Sequence, residues 1–362
     1  MTTTQKPPVD APSAKDRVTA VPMRTYVTIA ALAVIAVALA VVSASVGQMH
    51  IPPSQVMGSL LHHLHINLGP LPSNPNGEET LWVVRFPRIV LGLIVGAALA
   101  AAGCLLQGVL ANPLAEPSVI GVSSGAAVGA CIVIVGFGVG ASGWGQAGAA
   151  FGGGLIAAGL VYALSSRDGS SSPIMLVLTG IAVNAVGAGI IAYFMFIAGN
   201  TAREQIVFWQ LGSLSAATWS QVWVVLPLAV VGIGLSFTMV RKLDLLALGE
   251  LTAASLGIKV ETVRRQAIVL VAILTAAGVA FTGIVMFVGL VVPHVMRLLV
   301  GPRHAILLPA SVIGGAIVIT AADLAARTMV HAADLPLGML TSLIGGPVFF
   351  ILLRRSRAGW GW

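Results

Sequence analysis

The stretch RFPRIVLGLIVGAALAAAGCLLQGVLANPLAEP, residues 85–117, decides the fold class of this chain. Two arginines bracket a proline at its start, and an Asn-Pro-Leu tripeptide stands near its end. Between them lies a run of apolar and small residues as long as the ~20 residues that a helix needs to cross a bilayer. The stretch therefore predicts a transmembrane helix with cations at one end and a helix-breaking dipeptide at the other.

The composition of the whole chain indicates a membrane protein. Of 362 residues, 57% are hydrophobic and 9% are charged, and the mean hydropathy is +0.98. So few charges cannot cover the surface of a soluble domain. The 42 glycines suit the close packing of transmembrane helices. The net charge of +7 arises in short loops between apolar runs, which is the positive-inside pattern and not a nucleic-acid-binding patch.

Long apolar runs follow one another along the chain and predict the topology. They lie at about 26–46, 81–108, 117–138, 146–165, 173–199, 219–240, 265–290, 305–329 and 336–353. An odd number of crossings would separate the two basic ends of the chain. We therefore expect Pro293 to break the seventh run, so that a short tenth crossing ends near Val300. The predicted fold is an all-α polytopic membrane protein with about ten transmembrane helices and both termini in the cytoplasm.

The predicted domain organisation is simple. Residues 1–22 are polar and form a disordered cytoplasmic tail, residues 23–355 form the transmembrane permease domain, and residues 356–362 form a C-terminal tail. Within the domain, residues 241–265 form a cytoplasmic loop that carries the largest cluster of basic residues. Its leucines recur at helical spacing and Gly249 and Gly257 interrupt them, which predicts one or two short helices beneath the membrane. Such a segment is either interfacial or a contact for a cytoplasmic motor protein.

The chain itself carries no motor or enzyme motif. A phosphate-binding loop of the G-x-x-x-x-G-K-[ST] type is absent, so any use of ATP requires another polypeptide. The GVSSG sequence at 121–125 matches a nucleophile elbow, but small-residue helix packing explains it better than an intramembrane hydrolase with Ser123 as nucleophile. Cys104 and Cys131 lack metal-ligand spacing and are predicted to be buried, unpaired thiols.

Charged and polar residues near the ends of the spans leave alternatives open. Arg85, Arg88 and Arg327 are placed at the outer ends of the second and ninth helices, where they either anchor the helices at the headgroups or bind an acidic partner. Asp323 lies four residues before Arg327, so the two neutralise each other or Asp323 carries protons.

The two remaining polar segments lie in loops. Asn112 and Leu114 either end a helix or constrict a pore. The histidines His62, His63 and His65 more simply belong to a short interfacial helix than to a metal site, because no cysteine or carboxylate completes a ligand set.

Six motifs, taken together and in order, resemble one family. They are RFPR…GAALAAAGCLLQGVLANPLAEPSVIGVSSGAA, FWQLGSLSAATW, LLALGELTAASLG, GIVMFVGLVVPHVMRLL, ADLAAR and DLPLGMLTSLIGGPVFFILL. They look like the permease subunits of type II ABC importers for iron-siderophores, heme and cobalamin. The resemblance runs from about residue 26 to residue 355.

The resemblance implies an assembly and a set of roles. The assembly is a homodimer with the transport pathway on its two-fold axis, two separate ATPase subunits that hold ATP and magnesium, and an extracytoplasmic substrate-binding protein, in the plasma membrane of a bacterium. The permease itself would bind no cofactor or metal and would catalyse no reaction. The residues that match the family's motifs are Arg85, Arg88 and Arg327 for docking of the binding protein, Asn112 and Leu114 for the cytoplasmic gate, and Leu246, Leu248, Gly249, Glu250, Leu256 and Gly257 for coupling to the ATPase.

The cargo is the least determined feature. The segments EPSVIGVSSGAA, FWQLGSLSAATW and GPRHAILLPASVIGGAIVITAADLAAR look most like heme permeases of the family. Ferric-siderophore and cobalamin permeases share the same skeleton, so they remain alternatives. A proton-coupled secondary transporter that uses Asp323 is the alternative from another class.

Overall fold

The computed structural model describes residues 23–138, 143–167, 169–330 and 333–359. The predicted N-terminal tail, residues 1–22, lies outside the described residues. The helices are α1 (Met23–Ser45), α2 (Pro53–His63), α3 (Gly77–Val109), α4 (Val122–Gly136), α5 (Gly143–Ser165), α6 (Pro173–Ile197), α7 (Asn200–Leu211), α8 (Trp219–Phe237), α9 (Val240–Leu246), α10 (Glu250–Ser255), α11 (Val260–Thr282), α12 (Val288–Val300), α13 (His304–Ala326) and α14 (Leu337–Gly359). A 3₁₀ turn (Pro117–Ile120) precedes α4, and a two-stranded hairpin, β1 (Ser166–Arg167) and β2 (Ser170–Ser171), joins α5 to α6.

The all-α polytopic fold is confirmed. Eight of these helices are long and apolar enough to cross a membrane, and α4 and α12 are two shorter apolar helices. Together they are the ten crossings that the sequence predicts. Helix α14 continues to Gly359, past residue 355 where the predicted permease domain ends.

Helix α3 is the centre of the bundle, and α8, α11, α12 and α13 surround it. Most of its length is buried, whereas α1 and α6 expose most of their surface. Glycines allow the backbones to touch: a Cβ at Gly96 would overlap the carbonyl of Gly315 on α13, and one at Gly103 would overlap the carbonyl of Gly289 on α12. In lipid, the hydrophobic effect does not drive helices together, so they associate through the close packing that small residues allow.

The break between the seventh and eighth crossings does not lie at Pro293, so that prediction is wrong. The chain leaves α11 at Gly283 (φ 69°) and enters α12 at Phe287 (φ 67°), and Pro293 lies inside α12. The non-helical residues between them are surrounded by protein, since Gly212 and Gly338 pack against the carbonyl of Ile284. Irregular backbone at membrane depth is tolerated where protein covers it.

The short helices lie at the two ends of the bundle. Helices α2 and α7 follow the C-terminal ends of α1 and α6, and α9 and α10 lie between α8 and α11 in the sequence. Helix α3 begins at Gly77 and contains a π-helical stretch, Thr80–Arg85. Its arginines therefore lie more than two turns below its outer end and not at the end itself.

Candidate functional site

The outer arginines contact the end of α1. The guanidinium of Arg85 donates to the carbonyls of Ala44 and Met49, and that of Arg327 donates to the carbonyls of Ser43 and Val46, the latter at 2.7 Å. The last carbonyls of a helix have no partner within it and carry its negative dipole end. The two cations therefore satisfy and neutralise the C-terminus of α1.

The third arginine forms an ion-pair network between α3 and the far end of the chain. Arg88 Nε donates to both carboxylate oxygens of Asp323, at 2.9 and 3.1 Å, and its Nη1 donates to Asp334 at 2.7 Å. The predicted pairing of Asp323 with Arg327 is present at 3.7 Å but is the weaker of the two contacts. Asp323 is 3% exposed, and a buried charge is costly unless it is paired. Arg88 and Arg327 supply the opposite charge.

The structure thus brings the three predicted docking residues together, but beneath the surface. Arg85 and Arg88 are 5% and 9% exposed, and the outermost charged group of the network is the half-exposed carboxylate of Asp334. We name Arg85, Arg88, Asp323, Arg327 and Asp334 the outer ion cluster. Its three cations exceed its two carboxylates, so the cluster is net positive. The docking role itself stays a prediction.

His62 and His63 lie in helix α2, as predicted, whereas His65 lies beyond its end with φ 62°. The ring of His63 stacks on Trp82 with centroids 3.6 Å apart, and Trp82 Nε1 donates to Ser59 at 2.9 Å. Among the described residues, no group of three or more histidine, cysteine or carboxylate side chains could hold a metal ion. His63 packs α2 on α3, and His62 Nδ1 contacts the carbonyl of Gly58 within α2.

The predicted gate segment is a tight turn after α3. Ala111 adopts φ 48°, and the side-chain oxygen of Asn112 accepts a hydrogen bond from the backbone N–H of Leu114 at 2.9 Å. Asparagine commonly forms such turns, in which its side chain replaces a backbone group. Asn112 is exposed and Leu114 is half-buried. The gating role stays a prediction.

Two polar side chains that the sequence analysis missed, Gln107 and Glu116, attach this turn to α12 and the residue before it. Gln107, one turn from the end of α3, donates to the carbonyl of Leu290 at 3.0 Å and accepts from Arg297 at 3.0 Å. The carboxylate of Glu116, just after the turn, accepts from the backbone N–H of Phe287 at 2.7 Å. Burial raises the pKa of Glu116 above its ordinary value, although this hydrogen bond acts in the opposite direction.

The predicted coupling segment forms the two short helices α9 and α10. Gly249 (φ 104°) and Gly257 (φ 83°) adopt conformations that favour glycine and delimit α10, as predicted. Leu246 is buried against the bundle, whereas Leu248, Leu251 and Leu256 are 63%, 89% and 58% exposed. Exposed leucines fit either a membrane-interface segment or a contact with a partner protein, and the coupling role stays a prediction.

Arg264 on α11 connects this segment to the bundle. Its guanidinium donates to Glu250 at the start of α10, to Glu261 at 3.0 Å, and to the carbonyl of Ser171 in the hairpin between α5 and α6. Arg264 is 1% exposed. It therefore links three separate parts of the chain, and no local sequence pattern reveals this.

A second contact attaches α9 to the base of α13. Asp244 accepts from the backbone N–H of His304 at 2.8 Å and contacts its Nδ1 at 2.7 Å. Burial raises the pKa of Asp244, but these hydrogen bonds outweigh it and hold that pKa below its ordinary value. The ring of His304 also lies against Gly108 of α3. These contacts join α9, through His304, to the helix that precedes the turn at Asn112.

The packing interpretation of GVSSG is confirmed by the geometry. A Cβ at Gly125 would overlap the carbonyl of Gly153, and one at Gly129 that of Ala149, so α4 and α5 pack through backbone contacts. Cys104 and Cys131 are buried free thiols, as predicted.

Comparisons with known proteins identify the architecture. Residues 33–355 match the family model of the FecCD transport family. The cobalamin import system permease protein of Halobacterium salinarum is 40% identical over 75% of this chain and 72% of its own length. The Fe(3+) dicitrate transport system permease protein of Escherichia coli K12 is 39% identical over 83% of this chain and 96% of its own. The hemin transport system permease protein of Yersinia pestis is 38% identical over 78% and 87%.

A solved structure shares the fold. It is described as an inward-facing conformation of a metal-chelate type ABC transporter, and it superposes with a TM-score of 0.79 at 30% identity over 90% of this chain and 98% of its own. Proteins of this family are multi-pass transport subunits of the plasma membrane and not enzymes, and they work with separate ATPase subunits and a binding protein. This chain belongs to the FecCD transport family, the permease subunits of type II ABC importers.

Proposed function

We propose that this chain moves heme into the cytoplasm of a bacterium, with both termini inside, driven by ATP hydrolysis on partner subunits. The observation that carries the importer mechanism is the connection between the exposed leucines of α9–α10 and the gate turn. Asp244 joins α9 to His304, whose ring touches α3. A partner that moves α9 therefore moves the helix that carries the gate.

Heme is our first candidate cargo, and two others follow from the relatives. Among the relatives, the names specify hemin, ferric dicitrate and cobalamin at similar identity. All three are metal chelates, which favours a ferric siderophore or cobalamin as the alternatives. Selection would occur in the binding protein, because a cargo held tightly in the pathway could not leave it.

A second copy of the chain is the proposed cover for α6. This 25-residue helix buries only Leu176, Gly180 and Gly187 in the protomer. Its remaining surface includes Tyr193 and Phe196, which are 61% and 82% exposed. A homodimer with the pathway on its axis would place part of this surface against the partner and part along the cargo.

The importer mechanism is tested by reconstitution. Vesicles that contain the permease, its ATPase and its binding protein should accumulate heme only when ATP is present on the side of the membrane where the ATPase lies. Accumulation by the permease alone would contradict the proposal. Uptake of ferric dicitrate and of cobalamin is measured in the same vesicles, and the binding protein is titrated with each cargo. The comparison decides among the three cargoes.

The proton-carrier alternative is tested in vesicles without ATPase. Asp323 is bound by two arginines, so a carrier role would require these ion pairs to break during each cycle. We expect no proton-driven uptake by the parent protein, and hence no difference between it and Asp323→Asn. Proton-driven uptake that Asp323→Asn abolishes would replace the importer mechanism.

Docking of an acidic binding protein at the outer ion cluster predicts an increase in affinity on Asp334→Asn. The substitution removes the negative charge of the half-exposed Asp334, the partner of Arg88 Nη1, and leaves an amide oxygen that can still accept the hydrogen bond. We expect the affinity at low salt to rise about two- to fivefold and the rise to disappear at high salt. Glu79→Gln, an exposed carboxylate at the outer end of α3, is the matched control for loss of one negative charge. An equal effect of both variants would show that Arg88 is structural only.

A further inference from the structure

A cavity of about 390 Å³ opens where α8, α9 and α11 meet, away from the gate turn and the exposed leucines. Its polar lining consists of Thr238, Lys242, Arg265 and Gln266. Leu235 on α8 and Val269 on α11 belong to its apolar wall. The cavity thus combines two cations with a hydrocarbon surface.

The two kinds of lining lie at different depths. Helix α8 ends at Phe237, so Thr238 is at the edge of the apolar core and Leu235 is about one turn inside it. On α11, Val269 follows Arg265 by four residues and therefore lies on the same face, one turn further into the membrane. The cations are at headgroup level and the apolar wall is at acyl-chain level.

The positive charge of the cavity has no counter-charge in the described parts of the chain. No carboxylate lines it, and neither Lys242 nor Arg265 forms a hydrogen bond or ion pair with another described residue. The neighbouring carboxylates are engaged elsewhere. Glu261 binds Arg264, Tyr162 and Ser171, and Asp244 binds His304. An anion is the ligand that this arrangement lacks.

We propose that this cavity binds an anionic phospholipid of the inner leaflet, with its headgroup phosphate between Lys242 and Arg265 and an acyl chain along Leu235 and Val269. Basic pockets between transmembrane helices on the cytoplasmic side recognise anionic headgroups in this way. A small soluble anion would not need the apolar wall, and Leu235 and Val269 are 49% and 51% exposed and open to hydrocarbon. The assignment of the lipid to the inner leaflet rests on the proposed orientation of the chain, whereas the binding chemistry does not depend on it.

The lipid would join α9 to α11 at the base of the coupling segment. Lys242 belongs to α9, and Arg265 is the neighbour of Arg264, which holds α10. Helix α9 has only seven residues and is too short to be stable on its own. A bound phosphodiester bridging the two cations would therefore stiffen the connection between the ATPase contact and the bundle.

The test is lipid retention by the full-length permease in detergent, measured by native mass spectrometry. Phosphatidylglycerol and phosphatidylcholine with the same acyl chains are titrated in parallel. We expect the parent protein to prefer phosphatidylglycerol. In the double variant Lys242→Gln/Arg265→Gln this preference should fall about thirtyfold, because each cation contributes about 1 kcal/mol and about 1.4 kcal/mol corresponds to a tenfold change. Because no transport is measured, failure here is distinct from failure of the proposed function.

Three controls decide the result. Arg24→Gln removes an exposed cation at the start of α1 and should leave the preference unchanged, and the swap Lys242→Arg/Arg265→Lys should retain it. An unchanged preference in the double Gln variant would overturn the proposal. Equal competition by sn-glycerol 3-phosphate and phosphatidylglycerol would also overturn it, because the site would then bind a soluble anion. Loss of ATPase co-purification without loss of lipid would assign the cavity to the ATPase and overturn the proposal as well.

Discussion

Gly103→Ala is expected to destabilise the permease strongly, although alanine forms helices better than glycine. The added methyl group would overlap the carbonyl oxygen of Gly289, which belongs to the backbone of α12 and cannot rotate away. Overpacking in a closely packed core costs about 1–3 kcal/mol and more where the neighbours cannot adjust. Native proteins have only about 5–15 kcal/mol of stability in total. The measurements are the thermal unfolding midpoint in detergent and the monodisperse yield.

Gly234→Ala on α8 is the matched control, because a Cβ at that position meets no atom within 4 Å. It should leave the midpoint unchanged or raise it slightly, since alanine is favoured over glycine in a helix by up to about 1 kcal/mol. The two substitutions are chemically identical and are expected to have opposite signs. Equal midpoints for the two variants would contradict the helix contact between α3 and α12.

The contrast between these two glycines shows what the sequence can predict. Hydropathy and charge place the crossings, and glycine spacing at 249 and 257 predicts the short helices, because these features depend on neighbours along the chain. Gly103 and Gly234 look alike in sequence. Only the approach of α12 makes one of them indispensable, and that approach depends on residues far away.

The ion pairs illustrate the same limit. Arg88 was predicted at the end of its helix but lies more than two turns inside it, and its partners Asp323 and Asp334 are more than 200 residues away in the sequence. Proline is the usual helix breaker in sequence reasoning, so Pro293 attracted the prediction of the break. The actual break lies at residues 283–287, where the N–H of Phe287 donates to the distant carboxylate of Glu116, a contact that local patterns do not reveal.

Loss of the Arg264 side chain is expected to uncouple ATP hydrolysis from transport. Arg264→Met keeps an unbranched apolar stem and removes the hydrogen bonds of the guanidinium to Glu250, Glu261 and the carbonyl of Ser171. A hydrogen bond to a charged group contributes about 1.5–3 kcal/mol. Helix α10 has six residues and cannot remain ordered without external contacts, so the population in which it is docked should fall about tenfold or more.

In vesicles that hold the complete importer, transported cargo per ATP hydrolysed should therefore fall about tenfold while ATP hydrolysis continues. Glu250→Lys should act in the same direction, because it places a second cation beside Arg264; Glu250 is half-exposed, so this variant should fold normally. Arg24→Met, the same change at an exposed site on α1, should keep the parent ratio. An unchanged ratio in Glu250→Lys, with the unfolding midpoint also unchanged, would mean that α10 does not carry the motion. Transport would then have to be coupled through α9 and its contact with His304 alone.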